Sequence, residues 1–365
     1  GISLFLVPKF LEDGSRNPAF CGGLEHKMGI KASATCVMNF EGAQGWLIGE
    51  PNKGLKCMFT MMNSARLMVG MQGLGIAESA YQVSLGFAKE RLQSRSLSGP
   101  KAADKPADPI IVHPDVRRML LRQKVTIEGC RALAYFTGLH EDVAHDHEDP
   151  AVREQADDLV QLLTPVVKAF LTDEGFNSAN EGLQVLGGSG FTEDWGIEQL
   201  VRDSRITRIY EGTNGIQALD LVGRKLALGG GRAVRNYFAL IEGWLKAHAE
   251  ADHVMAVGGA LKQLQQATMW IATEGMKDPE QAGAAATPYL RLFALTSLAW
   301  MWARMAAVAK AKLAEGSTET AFYGAKLKSA DFFMARILTE TDSLLAEVKA
   351  GKATLMAFSD EEFAA

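Results

Sequence analysis

The chain has 365 residues, 22% of them charged and 47% hydrophobic, with a formal net charge of −5 and a pI near 5.9. That length can bury a large core shared among two or three domains. The composition excludes a disordered chain, and the acidic balance gives no electrostatic basis for binding nucleic acid.

Residues 2–7 already read as a strand at a start that is not Met, so the chain is read as the C-terminal part of a longer protein, with no signal peptide. Residues 35–40 form a second expected strand. Asp13-Gly14, Gly22-Gly23 and Pro51-Asn52 read as turns, giving a partial β domain over 1–53. From Leu55 the period becomes helical, with apolar residues at Met58, Phe59, Met62, Val69, Ile76, Ala80, Val83 and Phe87. A helix over 55–95 would be roughly 60 Å long, a length that suits a large helical bundle. Residues 96–112 are polar, hold three prolines and read as a loop. Pro114 then stands at the favoured first position of a second helix.

A third helical region covers 151–186, with Pro165 expected to kink or break it. Gly229-Gly230-Gly231 reads as a linker between a bundle over 54–228 and a further helical domain over 232–365. The most apolar run, residues 292–303 between Arg291 and Arg304, is shorter than the roughly 17–25 residues that span a bilayer. It reads as a buried core helix. The expected fold is mainly α with a small β portion in front, without internal repeats.

The four cysteines, Cys21, Cys36, Cys57 and Cys130, include no Cys-x-x-Cys pair. They read as small hydrophobes in a reduced cytosolic compartment. His140, His145 and His147 stand among five acidic residues but lack a His-Glu-x-x-His spacing, and a solvated charged loop is expected there, not a metal site.

The chemistry concentrates at Glu211. Arg202, Arg205 and Arg208 precede it, as would suit a phosphate-bearing ligand, and Gly212-Thr213-Asn214-Gly215 follows it between two helical segments. A glutamate in the first turn of a helix is ordinarily favoured by the dipole alone. Here Gly212 and Gly215 permit close backbone approach. Thr213 can cap a helix whose apolar face is Ile216, Leu219, Val222 and Leu226. A helix start also offers free N–H groups to an anion or a carbonyl oxygen. One turn thus supplies a base and nearby donors.

About twenty residues earlier lies Gln184-Val185-Leu186-Gly187-Gly188-Ser189-Gly190-Phe191. Alone it would be a flexible turn, and no βαβ unit makes it a Rossmann fingerprint. On the first long helix, Arg66 shares a face with Met62, and a charge on that otherwise apolar face needs a partner. Asn63 stands three residues before it.

Tyr210-Glu211-Gly212-Thr213, with Ile216 and Gln217 after it, resembles the catalytic signature of the flavin-dependent acyl-CoA dehydrogenases. The likeness covers about 1–228. It takes in Phe5-Leu6-Val7-Pro8, the turn at residues 27–35, the long helix and the glycine-rich segment in the family's order. The part beyond Gly231 resembles the larger members, of 3-methylmercaptopropionyl-CoA dehydrogenase type.

The resemblance implies FAD as cofactor and α,β-dehydrogenation of an acyl-CoA thioester. Glu211 would take the pro-R α-proton, and the β-hydrogen would leave as hydride to flavin N5. The thioester oxygen would be held by the Glu211 N–H and the flavin ribityl chain. Cofactor contacts fall to Gln184, Gly187 and Gly188, to Arg91 and Gln93 facing a neighbouring subunit's flavin diphosphate, and to Thr213 and Gly215. Coenzyme A contacts fall to Asn63, Arg66 and Gly212. An electron-transfer flavoprotein would reoxidise the flavin, and a homodimer or homotetramer is implied.

The pattern departs from the family in three places. Ser94 and Arg95 stand where Phe and Gly are usual. Gly215 replaces a side-chain amide, so a polar contact there must come from backbone or Asn214. The N-terminal helical domain and first strands, which in the family supply flavin contacts and one wall of the acyl pocket, are not in this chain. An acyl-CoA oxidase passing electrons to oxygen, and a non-enzymatic helical scaffold retaining the motif, are the alternatives.

Overall fold

The computed structural model describes residues 1–365, the side chain of Asn63 excepted, in two units, Gly1–Met68 and Val69–Ala365. In the first, strands β1 (Leu4–Leu6), β2 (Ala19–Leu24), β3 (Cys36–Phe40) and β4 (Trp46–Ile48) make two antiparallel ladders, β1 with β4 and β2 with β3. The two expected strands are present but shorter. Gly22-Gly23 is not a turn: the register slips between Cys21 and Gly23, a bulge inside β2. The buried Asn17 side chain pins the unit. Its Nδ2 donates to Pro8 O and Gln44 O, each at 2.8 Å, and its Oδ1 accepts from Gln44 N at 2.9 Å.

Helix α1 (Gly54–Glu90) ends five residues before the expected limit of 95. The correction has a local cause. Ser94 sits at φ +58°, and residues 91–94 pair with the far side of the loop. Gln93 N donates to Asp108 O at 3.0 Å and Ile110 N to Arg91 O at 2.9 Å. The fully buried Asp108 carboxylate collects Ser96 N at 2.9 Å, Lys101 N at 2.8 Å, Ala102 N at 2.7 Å and Arg95 Nη1 at 3.2 Å. Those donors, the Ser96 N–H foremost, hold its carboxyl well below the usual carboxylate range against the opposing effect of burial. The chain leaves the helix because this carboxylate organises a competing loop. Arg95, a departure from the family pattern, is part of that staple.

The second unit contains α2 (Pro114–Asp146), α3 (Pro150–Leu186), α4 (Ile197–Ser204), α5 (Asn214–Asp220), α6 (Arg232–Ala247), α7 (Val254–Lys277), α8 (Pro279–Ala314), α9 (Thr320–Arg336) and α10 (Glu340–Ala350). Pro114 opens α2 as expected. His140 and His145 belong to the last turns of α2, not to a loop, and the Phe136 carbonyl meets the His140 ring nitrogen at 2.8 Å. Pro165 does not break α3, which packs along α2 and against the later part of α1 and so keeps its course through the missing N–H.

Glycines set the α1–α3 crossing. A Cβ on Gly73 would lie 2.6 Å from Leu171 O and 2.9 Å from Thr172 Cα, and one on Gly175 would lie 2.6 Å from Gly73 O. Gly73→Ala therefore has to push two backbones apart. It should cost about 1–3 kcal/mol in chemical unfolding; an unchanged midpoint would show that the helices do not touch there.

Residues 292–303 are all buried within α8, the core helix expected. Among the described residues α8 alone is long and apolar enough to cross a membrane, but 78% of its apolar window is packed inside the protein. Trp302 Nε1 donates to Val125 O of α2 at 3.1 Å, and Tyr237 OH donates to Ser297 Oγ at 2.8 Å. Arg291 bridges Glu174 of α3 at 2.8 Å and Glu340 of α10. Beyond the turn at Gly229–Gly231, where φ is +58°, +64° and +84°, the later helices thus share a core with α2 and α3.

Candidate active site

The junction read from the sequence exists. Helix α4 tightens into a 3-10 turn at Arg205–Arg208, and the chain breaks at Glu211 before α5 begins. Thr213 caps α5, its Oγ1 accepting from Ile216 N at 3.3 Å. Glu211 and Gly212 lie at φ +57° and +85°. For glycine that is free of strain. For a glutamate it costs about 1–2 kcal/mol and persists only where the surroundings impose it.

Those surroundings come from α3. Lys168, with no exposed surface, donates from Nζ to Gly212 O at 2.8 Å and to Asn214 Oδ1 at 2.9 Å. Asn214 Nδ2 donates to Ala169 O at 3.1 Å, Thr172 Oγ1 at 3.0 Å and Asp173 Oδ1 at 2.9 Å. Gln217 Nε2 reaches Glu211 O and Gly212 O, each at 3.3 Å. The Tyr210 hydroxyl donates to Gln72. Burial, with Glu211 nearby, pushes its phenol up.

Within this clamp the Glu211 side chain is half-buried. Its Oε2 is buried and accepts no hydrogen bond from any described residue. The Glu211 N–H likewise donates to no backbone acceptor. A desolvated carboxylate oxygen without a donor costs about 1–3 kcal/mol or more, so its retention calls for a reason outside folding.

Two sequence expectations are corrected here. Arg202 is held by Glu198 at 2.7 Å, and Arg208 by Asp173 at 2.5 Å with its guanidinium 5.5 Å over Phe176. Carboxylates already neutralise these two of the three arginines, so neither is free to cradle a phosphate. The Asn214 amide is consumed by α3, so it cannot replace the amide missing at Gly215, and Gly215 and Thr213 stand exposed at the start of α5. Conversely, Lys168, Thr172, Asp173 and Gln72 were not singled out. The only signal was a lysine and an aspartate inside the apolar period of α3. Burial pushes the Asp173 carboxyl up, with Arg208 opposing it.

The glycine-rich segment follows α3. Gly187, at φ +61°, closes the helix by donating to Gln184 O and Leu183 O. Gln184, Gly187 and Gly188 are exposed, as are Arg91 and Gln93. The ends of α1, α2, α3 and α4 meet in one buried cluster of Phe87, Ile110, Met119, Leu186 and Ile197, so these five residues share one end of the bundle. They do not meet Glu211 within the chain. Lys168, which clamps Glu211, and Leu186 are separated by roughly 27 Å of helix. Arg66 belongs to the first unit, where it is buried with its guanidinium 5.6 Å over the Phe59 ring. Asn63 is on the same helix, its side chain outside the described residues.

The site is thus a strained, partly desolvated glutamate beside a Gly-Thr turn in a helical bundle, and sequence comparison gives the family to which such a bundle belongs. Residues 52–226 match the family model for the acyl-CoA dehydrogenase C-terminal domain, and residues 237–359 match that described as acetyl-CoA dehydrogenase C-terminal like. The chain belongs to the acyl-CoA dehydrogenase family.

The 3-methylmercaptopropionyl-CoA dehydrogenase of Ruegeria pomeroyi is 43% identical over 93% of this chain and 59% of that protein. The broad-specificity linear acyl-CoA dehydrogenase FadE5 of Mycobacterium tuberculosis is 35% identical over 93% of this chain and 59% of its own length. The chain thus spans about three fifths of the length of the relatives it matches. Two solved structures share the fold. Caenorhabditis elegans ACDH-11, in complex with C11-CoA, has a TM-score of 0.76 at 20% identity over 97% of this chain and 56% of that one. The Bacillus anthracis acyl-CoA dehydrogenase complexed with FAD has a TM-score of 0.71 at 22% identity over 95% and 60%.

Proposed function

We propose that this chain carries the general base and part of the flavin surface of an FAD-dependent acyl-CoA dehydrogenase, with 3-methylmercaptopropionyl-CoA as the favoured substrate. The observation that carries the reading is Glu211, held at φ +57° with Oε2 buried and without a donor. A carboxylate in that state is placed to accept a proton from a weakly acidic carbon. Its N–H has no backbone acceptor and is available to a thioester oxygen, where it would stabilise the charge that develops as the α-proton leaves. Bound FAD would supply the acceptor for the β-hydrogen.

The exposed Gln184, Gly187, Gly188, Arg91 and Gln93 suit the phosphate and adenine end of such a dinucleotide. Their distance from Glu211 along α3 fits a cofactor shared between two copies of the chain. A homodimer or homotetramer follows from that reading, as do a cytosolic setting and an electron-transfer flavoprotein as acceptor. Arg66 would meet the coenzyme A moiety.

The reading is tested by supplying the FAD-loaded protein with a panel of acyl-CoAs under an artificial dye and under oxygen. Dye reduction with little peroxide is expected. Stoichiometric peroxide would mark an oxidase, and a protein that takes up no FAD would mark a non-enzymatic scaffold. Arg66→Ala should raise KM for acyl-CoA several-fold and spare a short thioester lacking the nucleotide. An equal loss on both would make Arg66 structural.

A further inference from the structure

We propose that the cleft between α2 and α9 is a second ligand site, built for a phosphate-bearing aromatic ligand of the nucleotide class. The cleft encloses about 780 Å³. That volume lies in the range of small-molecule sites, roughly 300–1,000 Å³. Arg117, Arg118 and Arg122 of α2 and Arg336 of α9 line it over an apolar floor that includes Phe332 and Ile337. In a chain of net charge −5, four arginines here face one lining carboxylate, Asp115.

Arg118 is already occupied, with Asp115 at 2.8 Å and Glu181 at 3.1 Å. The side chains of Arg117, Arg122 and Arg336 make no hydrogen bond or ion pair with a described residue, although the charge of Arg122 is felt by Glu181 beside it. A surface arginine without a partner is ordinary. Three around one concavity repel each other, and two features separate this group from a solvated face. Arg117 and Arg118 lie in the first two turns of α2, the positive end of its dipole, where cations are disfavoured and anions welcome. Phe332 and Arg336 are four residues apart in α9, so an aromatic plane and a guanidinium present to the cleft together.

Guanidinium forks bind phosphate oxygens in pairs, and an aromatic face stacks a planar ring. A bare phosphate would leave most of the volume and the apolar floor unused. The residues assigned to the dinucleotide, Gln184, Gly187, Gly188, Arg91 and Gln93, do not line this cleft. Arg118 and Arg122 do also face a smaller cavity of about 280 Å³ that includes Gln184, so the test must separate the two sites.

ADP is titrated calorimetrically into the purified protein, with and without saturating FAD, alongside inorganic phosphate. Expected under saturating FAD is one ADP site, with phosphate at least roughly tenfold weaker, and with FAD absent any ADP taken by the dinucleotide surface adds to it. Arg336→Gln should weaken ADP by roughly tenfold, the loss of one charge-assisted contact, without shifting the thermal midpoint. Arg117→Gln should do the same. Binding that FAD abolishes would assign ADP to the dinucleotide surface and overturn the proposal. So would no ADP binding, phosphate as tight as ADP, or affinity indifferent to both substitutions. Because the ADP signal is read with FAD absent as well, it stands or falls independently of the dehydrogenase reading.

Discussion

Glu211→Gln should lower acyl-CoA turnover by at least about 10²-fold, the lower range for loss of a general base, while FAD uptake and the KM for acyl-CoA change little. The amide keeps the shape of the carboxylate and cannot take the proton. If Glu211 served only to complement the start of α5, the same change would cost about 0.3–1 kcal/mol of stability and leave turnover alone. A second substitution sharpens the contrast. Glu211→Gly removes the left-handed strain, so it should raise the unfolding midpoint while abolishing turnover, as expected where strain is kept for function. Near-normal turnover in Glu211→Gln would refute the base, whatever the stability did.

Much of this site could be read along the chain because it is local. Glu211, Gly212, Thr213 and the cap of α5 lie within four consecutive residues, and a turn's chemistry is written in adjacent letters. The burial of residues 292–303 was equally plain, since a twelve-residue apolar run has few other destinations. What was missed depends on distant partners. The period of α1 continues past Glu90, and only Asp108, eighteen residues on, explains why the helix stops. The glycines of β2 read as a turn because a bulge is defined by the opposite strand. Arg208 reads as a free cation because its carboxylate, Asp173, stands on a helix that only folding brings round, whereas the Glu198 partner of Arg202 was four residues away on the same helix and could have been read. Lys168 is the clearest case. In sequence it is one lysine in an apolar helix, and nothing nearby reveals that its ammonium ends 2.8 Å from the carbonyl of Gly212, forty-four residues later.

That distance makes Lys168→Met the second large effect. Methionine fills a similar volume but leaves Gly212 O and Asn214 Oδ1 without their buried cation. Each lost partner of a buried polar group costs about 1–3 kcal/mol, so the unfolding midpoint should fall clearly. A stability loss alone would describe any buried lysine. The informative readout is the split between kcat and KM in protein that remains folded. Lys168 holds the carbonyl of the residue after Glu211 and, through Asn214, the start of α5. If that hold fixes the direction of the carboxylate, a displacement of about 1 Å should cost on the order of 10²-fold in kcat with KM nearly constant. Thr172→Val provides the comparison. It removes the neutral contacts of Oγ1 to the same Asn214, with Nδ2 at 3.0 Å and Oδ1 at 3.3 Å, and leaves the ammonium in place, so its kcat should fall far less. Equal kcat per folded molecule in Lys168→Met and the parent would reduce the lysine to a packing element, and the strain at Glu211 would then have to be imposed by Gln217 and the cap at Thr213 alone.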